Sequence, residues 1–249
     1  MKKKKKRKVR TMRLLAVLLV LVLLAEAALF AAKKLSQTLL KDTTIHIELD
    51  NAHGGDQSGV SGYITEDDFN DLVITKMTEL LAEDKKFTVI RTHEAGTAMN
   101  MVSKVEKINE DRPDIVFSLQ CSWSPDENVS GMHIYAEKPS SRYHKESLAF
   151  AGKISEAYAA AGHEAPVQYY YYTPIKNGNA FQERIVSSDD TNDYGEETFT
   201  LMEKTNVPVV IASQMYVTSE SDTAYWNNEE AAAEAARLYC EAIKSYYDK

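Results

Sequence analysis

From residue 44 onward, short runs rich in β-branched and aromatic residues alternate with longer stretches whose apolar residues recur at helical spacing. This alternation constrains the fold more than any other feature, because strands connected through helices pair in parallel within one sheet. Residues 44–49 read as the first strand. Residues 66–83 read as the first helix, with Phe69, Leu72, Val73, Met77, Leu80 and Leu81 at helical spacing and Thr65 as N-cap. Strands at 87–92, 114–120, 131–136 and 207–214 follow, interleaved with helices at 98–110, 143–161 and 229–247. Arg112-Pro113 ends the second helix. Residues 163–198 are the least regular part: they hold the tyrosine run 169–172, the turn signal Lys176-Asn177-Gly178-Asn179 and an acidic stretch up to Glu197. The expectation is an α/β three-layer sandwich, with a mostly parallel sheet of about six strands and helices on both faces, filling residues 44–249 as one domain.

The segment ahead of that domain has a different physical character. Residues 1–13 are strongly basic, and residues 14–32 are apolar apart from Glu26. Nineteen residues of helix rise about 28 Å, roughly the hydrocarbon thickness of a bilayer. With the basic flank held on the cytoplasmic side, residues 14–32 read as a single transmembrane helix, followed by a linker at 33–43. The domain is then expected outside the cytoplasm, at the cell membrane. A cleaved signal peptide is the alternative: residues 14–24 would be its apolar region and Ala25-Glu26-Ala27 its cleavage site, giving a secreted protein. The basic run also matches a nuclear localisation pattern, which the adjoining membrane-length run argues against.

Removing residues 1–34 from the charge balance leaves 18 basic against 36 acidic residues, a net charge of −18. Such a domain has no long-range attraction for nucleic acid or for an anionic membrane surface. The two cysteines, Cys121 and Cys240, imply neither a disulfide framework nor a CxxC zinc site, and Cys121 reads as a small core residue.

Chemistry concentrates where strands end. The run Asp50-Asn51-Ala52-His53-Gly54-Gly55 leaves a histidine at the end of the first strand, freed by a glycine pair, and Glu66 opens the next helix. Imidazole and carboxylate placed in this way make half of a zinc site, the other ligands being due from the ends of later strands. A histidine followed by two glycines also marks an ordinary turn. The wider pattern adds Gly59 and Gly62, Asn70 four residues beyond Glu66, Arg91-Thr92, Asn109 and Asp114-Ile115-Val116-Phe117-Ser118. It continues through Gly131 with Tyr135, Ser147-Leu148-Ala149, residues 199–205 and Pro208-Val209-Val210-Ile211. In this order and spacing the chain resembles the zinc-dependent N-acetylmuramoyl-L-alanine amidases, which cut between glycan and stem peptide in bacterial cell walls.

The resemblance implies that His53 and Glu66 are zinc ligands. It also implies a second ligating histidine after Ser118-Leu119, where this chain has Gln120, and a catalytic glutamate where it has Ser213. A neutral amide is a poor zinc ligand beside imidazole, and serine is no general base toward a metal-bound water near neutral pH. The resemblance therefore implies zinc while the residues argue against a complete zinc centre. His133 and His93 are further metal candidates, each also readable as an ordinary strand or strand-end histidine. Asn70 is a candidate substrate contact. So are Tyr170 and Tyr172, which offer an aromatic platform for sugar rings or, alternatively, pack at a sheet edge.

The expected function is that of a membrane-anchored, amidase-like pseudoenzyme acting on or binding peptidoglycan, with a cell-wall or division protein as a further partner. Two alternatives stay open: an active metal-dependent peptidoglycan amidase with a non-standard third ligand and base, and a structural ectodomain that binds a protein partner.

Overall fold

The structure is a computed structural model that describes residues 22–30, 44–174, 181–192 and 194–248. The chain divides into two units, Met1–Thr43 and Thr44–Lys249. In the first unit, residues 22–30 are helical. Among the described residues no helix is long and apolar enough to cross a membrane. The rest of the expected 14–32 span, the basic segment 1–13, the linker 33–43 and the turn signal Lys176-Asn177-Gly178-Asn179 lie outside the described residues.

The second unit follows the order β1 (Ile45–Asn51), α1 (Glu66–Ala82), β2 (Phe87–Arg91), α2 (Met101–Asp111), β3 (Ile115–Ser122), β4 (His133–Tyr135) and α3 (His144–Ala160). It continues with β5 (Val167–Pro174), β6 (Phe181–Ser187), α4 (Thr200–Lys204), β7 (Val209–Tyr216), α5 (Glu220–Trp226) and α6 (Glu229–Tyr247). The strands form one sheet in the order β2-β1-β3-β7-β4-β5-β6. β1 is parallel to both β2 and β3, β3 is parallel to β7, and β4 is parallel to β5. The β4–β7 and β5–β6 pairs are antiparallel.

The sheet therefore has seven strands where the sequence leads one to expect about six. Neither β5 nor β6 has a range among the expected strands; both lie in the least regular stretch of the sequence, and β6 is the edge. It pairs only with β5 among the described residues, and Gln182, Glu183, Arg184 and Ile185 are exposed. A charged edge strand carries little apolar signal, which is how edges avoid unwanted pairing. β4 is shorter than expected, and α4 and α5 have no counterpart among the expected helices.

Alternation along the central strands sorts side chains into two cores. Ile115, Phe117, Leu119 and Cys121 of β3 join Val210 and Ala212 of β7, and Ile47 and Leu49 of β1, in the larger core with α1, α3 and α6. Val116, Val209 and Ile211 enter the smaller core, closed by Ile108 of α2 and by Leu201 and Met202 of α4. Helices thus cover both faces. The chain leaves β1 through α1 to reach β2, then passes through α2 to β3 on the other side of β1. With right-handed crossovers, that reversal requires α1 and α2 to lie on opposite faces. It also opens a crevice at the carboxyl ends of β1 and β3, the topological switch point of the sheet.

Local sequence sets the helix boundaries. Asn100 caps α2 by accepting from Ser103 N at 3.0 Å, and Arg112 ends it in the left-handed region (φ 51°) just before Pro113. Thr65 occupies the N-cap position of α1 in extended conformation, but its hydroxyl makes no capping bond. Glu66, Asp67 and Asp68 fill the first turn, where carboxylates favour the helix dipole.

Two buried carboxyls give the fold a pH signature. Glu48 is fully buried on β1, where burial lifts its pKa to about 7 against the partial relief of Lys107 and the Thr92 hydroxyl. Glu137, just beyond β4, is also lifted to about 7 by burial, although Val209 N donates to its Oε1 at 3.0 Å. Both groups hold a proton more tightly folded than unfolded. Stability from this source is therefore full below about pH 4.5 and is lost as pH rises through about 7. Each group accounts for about 3 kcal/mol at most. The melting temperature is expected to fall between pH 5.5 and pH 8, and Glu48→Gln to flatten that fall, as calorimetry across the range would measure. A melting temperature that rises over this interval would contradict the assignment.

Candidate functional site at the switch point

The floor of the crevice is polar and closed. Lys104 of α2 is 1 % exposed, and its Nζ donates to the carbonyls of Asn51 (2.5 Å) and Ala52 (2.9 Å). Nζ also lies 2.9 Å from Oδ1 of Asp50, an ion pair by distance. The angle is not that of a hydrogen bond, so among the described residues Oδ1 accepts none. Ser118 Oγ donates to the other oxygen, Oδ2, at 2.7 Å. His93 is buried, with Nε2 at 2.9 Å from the Asn51 carbonyl and Nδ1 at 3.2 Å from that of Glu94. It is a structural residue of this floor, with both ring nitrogens facing carbonyls.

On the opposite face of β1, a chain of side-chain amides ties the sheet to α1. Asn51 Nδ2 donates to Asp67 Oδ1 (2.8 Å), and Asn51 Oδ1 accepts from Asn70 Nδ2 (3.1 Å). Asn70 Nδ2 also reaches the Leu119 carbonyl at 3.1 Å, and Asn70 Oδ1 accepts from Gln214 Nε2 at 2.6 Å. Asn70, expected as a substrate contact, is fully buried. Its amide is spent on joining β1, β3 and β7 beneath the site, so it positions the site from below. The loop after β1 is held by Gly55 N, which donates to Asp67 Oδ2 at 3.1 Å.

His53 and Glu66 do come together. His53 Nε2 lies 3.8 Å from Glu66 Oε2, the imidazole side chain 43 % exposed and the carboxylate 1 %. Glu66 is fixed from two sides: Oε1 accepts from Cys121 N at 2.8 Å and Oε2 from Val60 N at 2.9 Å. Burial raises its pKa, while the nearby imidazole and the two backbone donors oppose that rise. Gly59 makes the arrangement sterically feasible. It sits at φ +75°, and a Cβ there would lie 2.2 Å from Glu66 Oε2 and 2.8 Å from His53 Cγ.

The other expected members lie on the neighbouring strands. Gln120, Ser213 and His133 are cross-strand neighbours on β3, β7 and β4, so their side chains share one face. Ser213 is fully buried, and its hydroxyl lies 2.6 Å from that of Ser122. His133 is engaged at 2.7 Å by Gln168 Oε1 and at 3.2 Å by the Tyr216 hydroxyl. Cys121 points into the larger core, where burial pushes its thiol well above the ordinary value, away from the thiolate a metal needs. Among the described residues no group of three or more His, Cys, Asp or Glu side chains is placed to hold a metal ion. The donor set at the pair is one imidazole and one carboxylate. A catalytic zinc centre needs a third protein ligand and an open position, so the residues present do not fit that ion in the usual way.

Beside the pair, on the face of the smaller core, lies a cavity of about 310 Å³. Asp50, Ser118 and Gln120 line it together with Tyr170, Tyr172 and Phe199. Sequence reasoning singles out Gln120 as a ligand position and Tyr170 and Tyr172 as a platform, and these three residues line one cavity. The alternation along β5 explains the tyrosines: Tyr169 and Tyr171 fill the larger core, while Tyr170 packs toward the smaller one. Glu183 of β6 accepts from the Tyr170 hydroxyl at 2.7 Å. Asp189 and Asp190 instead bond within their own turn. Sequence reasoning misses Lys104 and Phe199. A lysine inside a helix looks like any solvated charge, and only the parallel register of β1 and β3 reveals its partner.

Comparison with known proteins agrees with this architecture. The profile of the Amidase_3 family, N-acetylmuramoyl-L-alanine amidase, matches residues 47–245. The Bacillus subtilis protein YqiI is 24 % identical over 206 residues, covering 82 % of this chain and 85 % of its own. Among solved structures, the catalytic domain of the amidase CwlV from Bacillus (Paenibacillus) polymyxa is similar at a TM-score of 0.64 and 19 % identity, over 82 % of this chain and 99 % of that one. An N-acetylmuramoyl-L-alanine amidase from Clostridium difficile 630 gives 0.65 at 16 %, over 84 % and 99 %. The CwlD amidase of Clostridioides difficile, solved in complex with the GerS lipoprotein, gives 0.57 at 16 %, over 82 % and 98 %. With the fold, the switch-point crevice and the His53–Glu66 pair in place, the chain belongs to the Amidase_3 family of N-acetylmuramoyl-L-alanine amidases.

Proposed function

We propose that this protein binds peptidoglycan through an amidase fold whose hydrolytic centre is incomplete, and that it does so outside the cytoplasm, held at the membrane by residues 14–32. The observation that carries the reading is the state of the third-ligand and base positions. Gln120 offers a neutral carboxamide to the cavity, and Ser213 is buried against Ser122. Neither can take a proton from water near neutral pH. The polar floor beneath them is intact, so the cleft is retained while its chemistry is not.

A second reading, an active amidase using a non-standard ligand, draws on the His53–Glu66 pair and the glycine that accommodates it. Incubation of the full chain with purified sacculi separates the two. Retention of the protein on the sacculi with no release of stem peptide supports the binding reading; sustained release that His53→Ala abolishes supports the enzyme. Failure of both would favour a protein partner as the ligand of this ectodomain.

The incomplete centre also predicts a gain of function. Gln120→His combined with Ser213→Glu is expected to raise zinc affinity by on the order of 100-fold or more, one ligand's share of the roughly 10–16 kcal/mol that four-ligand zinc sites deliver. Competition with a chromogenic chelator measures this, with circular dichroism as the check on folding because Ser213 is fully buried. An unchanged affinity in a folded double variant would mean that these two positions are not what the site lacks.

A further inference from the structure

On the face of the sheet opposite the crevice, a second cavity of about 170 Å³ lies between the start of β4, β7, the carboxyl end of α3 and α5. We infer that it is a binding site for a quaternary ammonium head, a trimethylammonium group carried by a small molecule such as choline. Gln214, at its base, fixes the face: its side chain points into the larger core, bonded to Asn70 and Tyr239. The site is thus separate from Asp50, Gln120 and the aromatic wall of the cleft, and it does not rest on what the cleft holds. A cavity of about 150 Å³ accommodates one benzene ring, so this one takes a single compact group.

Its walls are aromatic and already held in place. The Trp226 ring lies 5.3 Å from His163 and 6.2 Å from Tyr158 between centroids, and Tyr225 closes on both Trp226 (4.9 Å) and His163 (5.2 Å). Tyr158 is fully buried. The His163 ring is pinned by Glu234 Oε1 at 3.6 Å and by the Tyr225 hydroxyl at 3.4 Å. Aromatic faces attract a cation through the ring quadrupole, indole most strongly, and do so best where water is excluded.

Charge and hydrogen-bond capacity select the ligand. Asp222 Oδ2 accepts from Gly131 N and Tyr216 N, both at 2.9 Å, which fixes the carboxylate, while Oδ1 has no hydrogen-bond partner among the described residues. Glu164 also lines the cavity, and no lysine or arginine does. α3 ends here, with His163 N donating to the Tyr158 carbonyl at 3.0 Å, so the negative end of the helix dipole reaches the same rim. All of these favour a cation. A primary ammonium would bring three N–H groups to satisfy. The cavity offers them only Asp222 Oδ1 and the exposed Glu164, because both ends of the Gln214 carboxamide are engaged. A quaternary ammonium has no donor to leave unpaired. A phosphate or carboxylate attached beside it would meet only like charge.

The test is calorimetric titration of the full chain in a maltoside detergent at constant ionic strength. Choline and tetramethylammonium are expected to bind saturably. Dimethylbutanol, in which carbon replaces the nitrogen of choline, should bind roughly 10-fold more weakly or not at all. Phosphocholine, the form a lipid headgroup presents, should be weaker than choline by a similar factor, which separates a free ligand from a lipid. Trp226→Leu should weaken choline by roughly 10-fold or more through loss of the indole face. Asp222→Asn removes the charge and keeps an oxygen for Gly131 N and Tyr216 N; it should weaken choline several-fold and provides a second reading should the first variant fail to fold, as circular dichroism would show. Absence of saturable choline binding, equal or tighter binding of dimethylbutanol or phosphocholine, or undiminished choline binding in the folded variants would overturn the inference.

Discussion

Two charges held out of water, Asp50 on β1 and Lys104 on α2, underlie everything at the switch point. Such a pair is weak evidence of stability, because desolvation offsets its attraction, but removing one partner strands the other at a cost of about 3–5 kcal/mol. Here its value is positional. Lys104 also holds the Asn51 and Ala52 carbonyls, so the last residues of β1 leave the sheet in one direction only. His53 follows at once. On the other face, Asp67 and Asn70 grip Asn51 from α1, so the strand end is clamped from both sides.

That clamp holds the cleft through contacts made by Asn51, Asn70 and Lys104. The amide chain through Asn51, Asn70 and Gln214 and the ion pair below do not depend on what occupies positions 120 and 213. Ser213, fully buried, has its hydroxyl 2.6 Å from that of Ser122. Glu66 also serves the scaffold. Its carboxylate receives Cys121 N and Val60 N, joining β3 and the loop to α1.

Much of this is legible in the sequence, for reasons that can be named. Parallel strands buried on both faces read as continuous apolar runs, so β3 and β7 stand out, and Arg112-Pro113 marks the end of α2. Edge strand β6 does not stand out, because its exposed charges mimic a loop. The motif His53 to Glu66 does bring its two side chains together, with His53 Nε2 3.8 Å from Glu66 Oε2. Asn70 misleads because a polar residue one turn into an amphipathic helix looks available, whereas its partners Asn51 and Gln214 come from strands 19 and 144 residues away. The two tyrosine roles, core for Tyr169 and Tyr171 and cavity for Tyr170 and Tyr172, follow from period-two alternation alone once β5 is known to be a strand.

The central claim is that the retained cleft lacks the donors for a catalytic zinc ion. The most direct measurement is the zinc content of the full chain after equilibration with micromolar free zinc and removal of the excess. Far less than one equivalent is expected to remain, with no difference between wild type and His53→Ala. One equivalent retained by wild type and lost on His53→Ala would contradict the account, and would mean that a third ligand reaches the His53–Glu66 pair in solution.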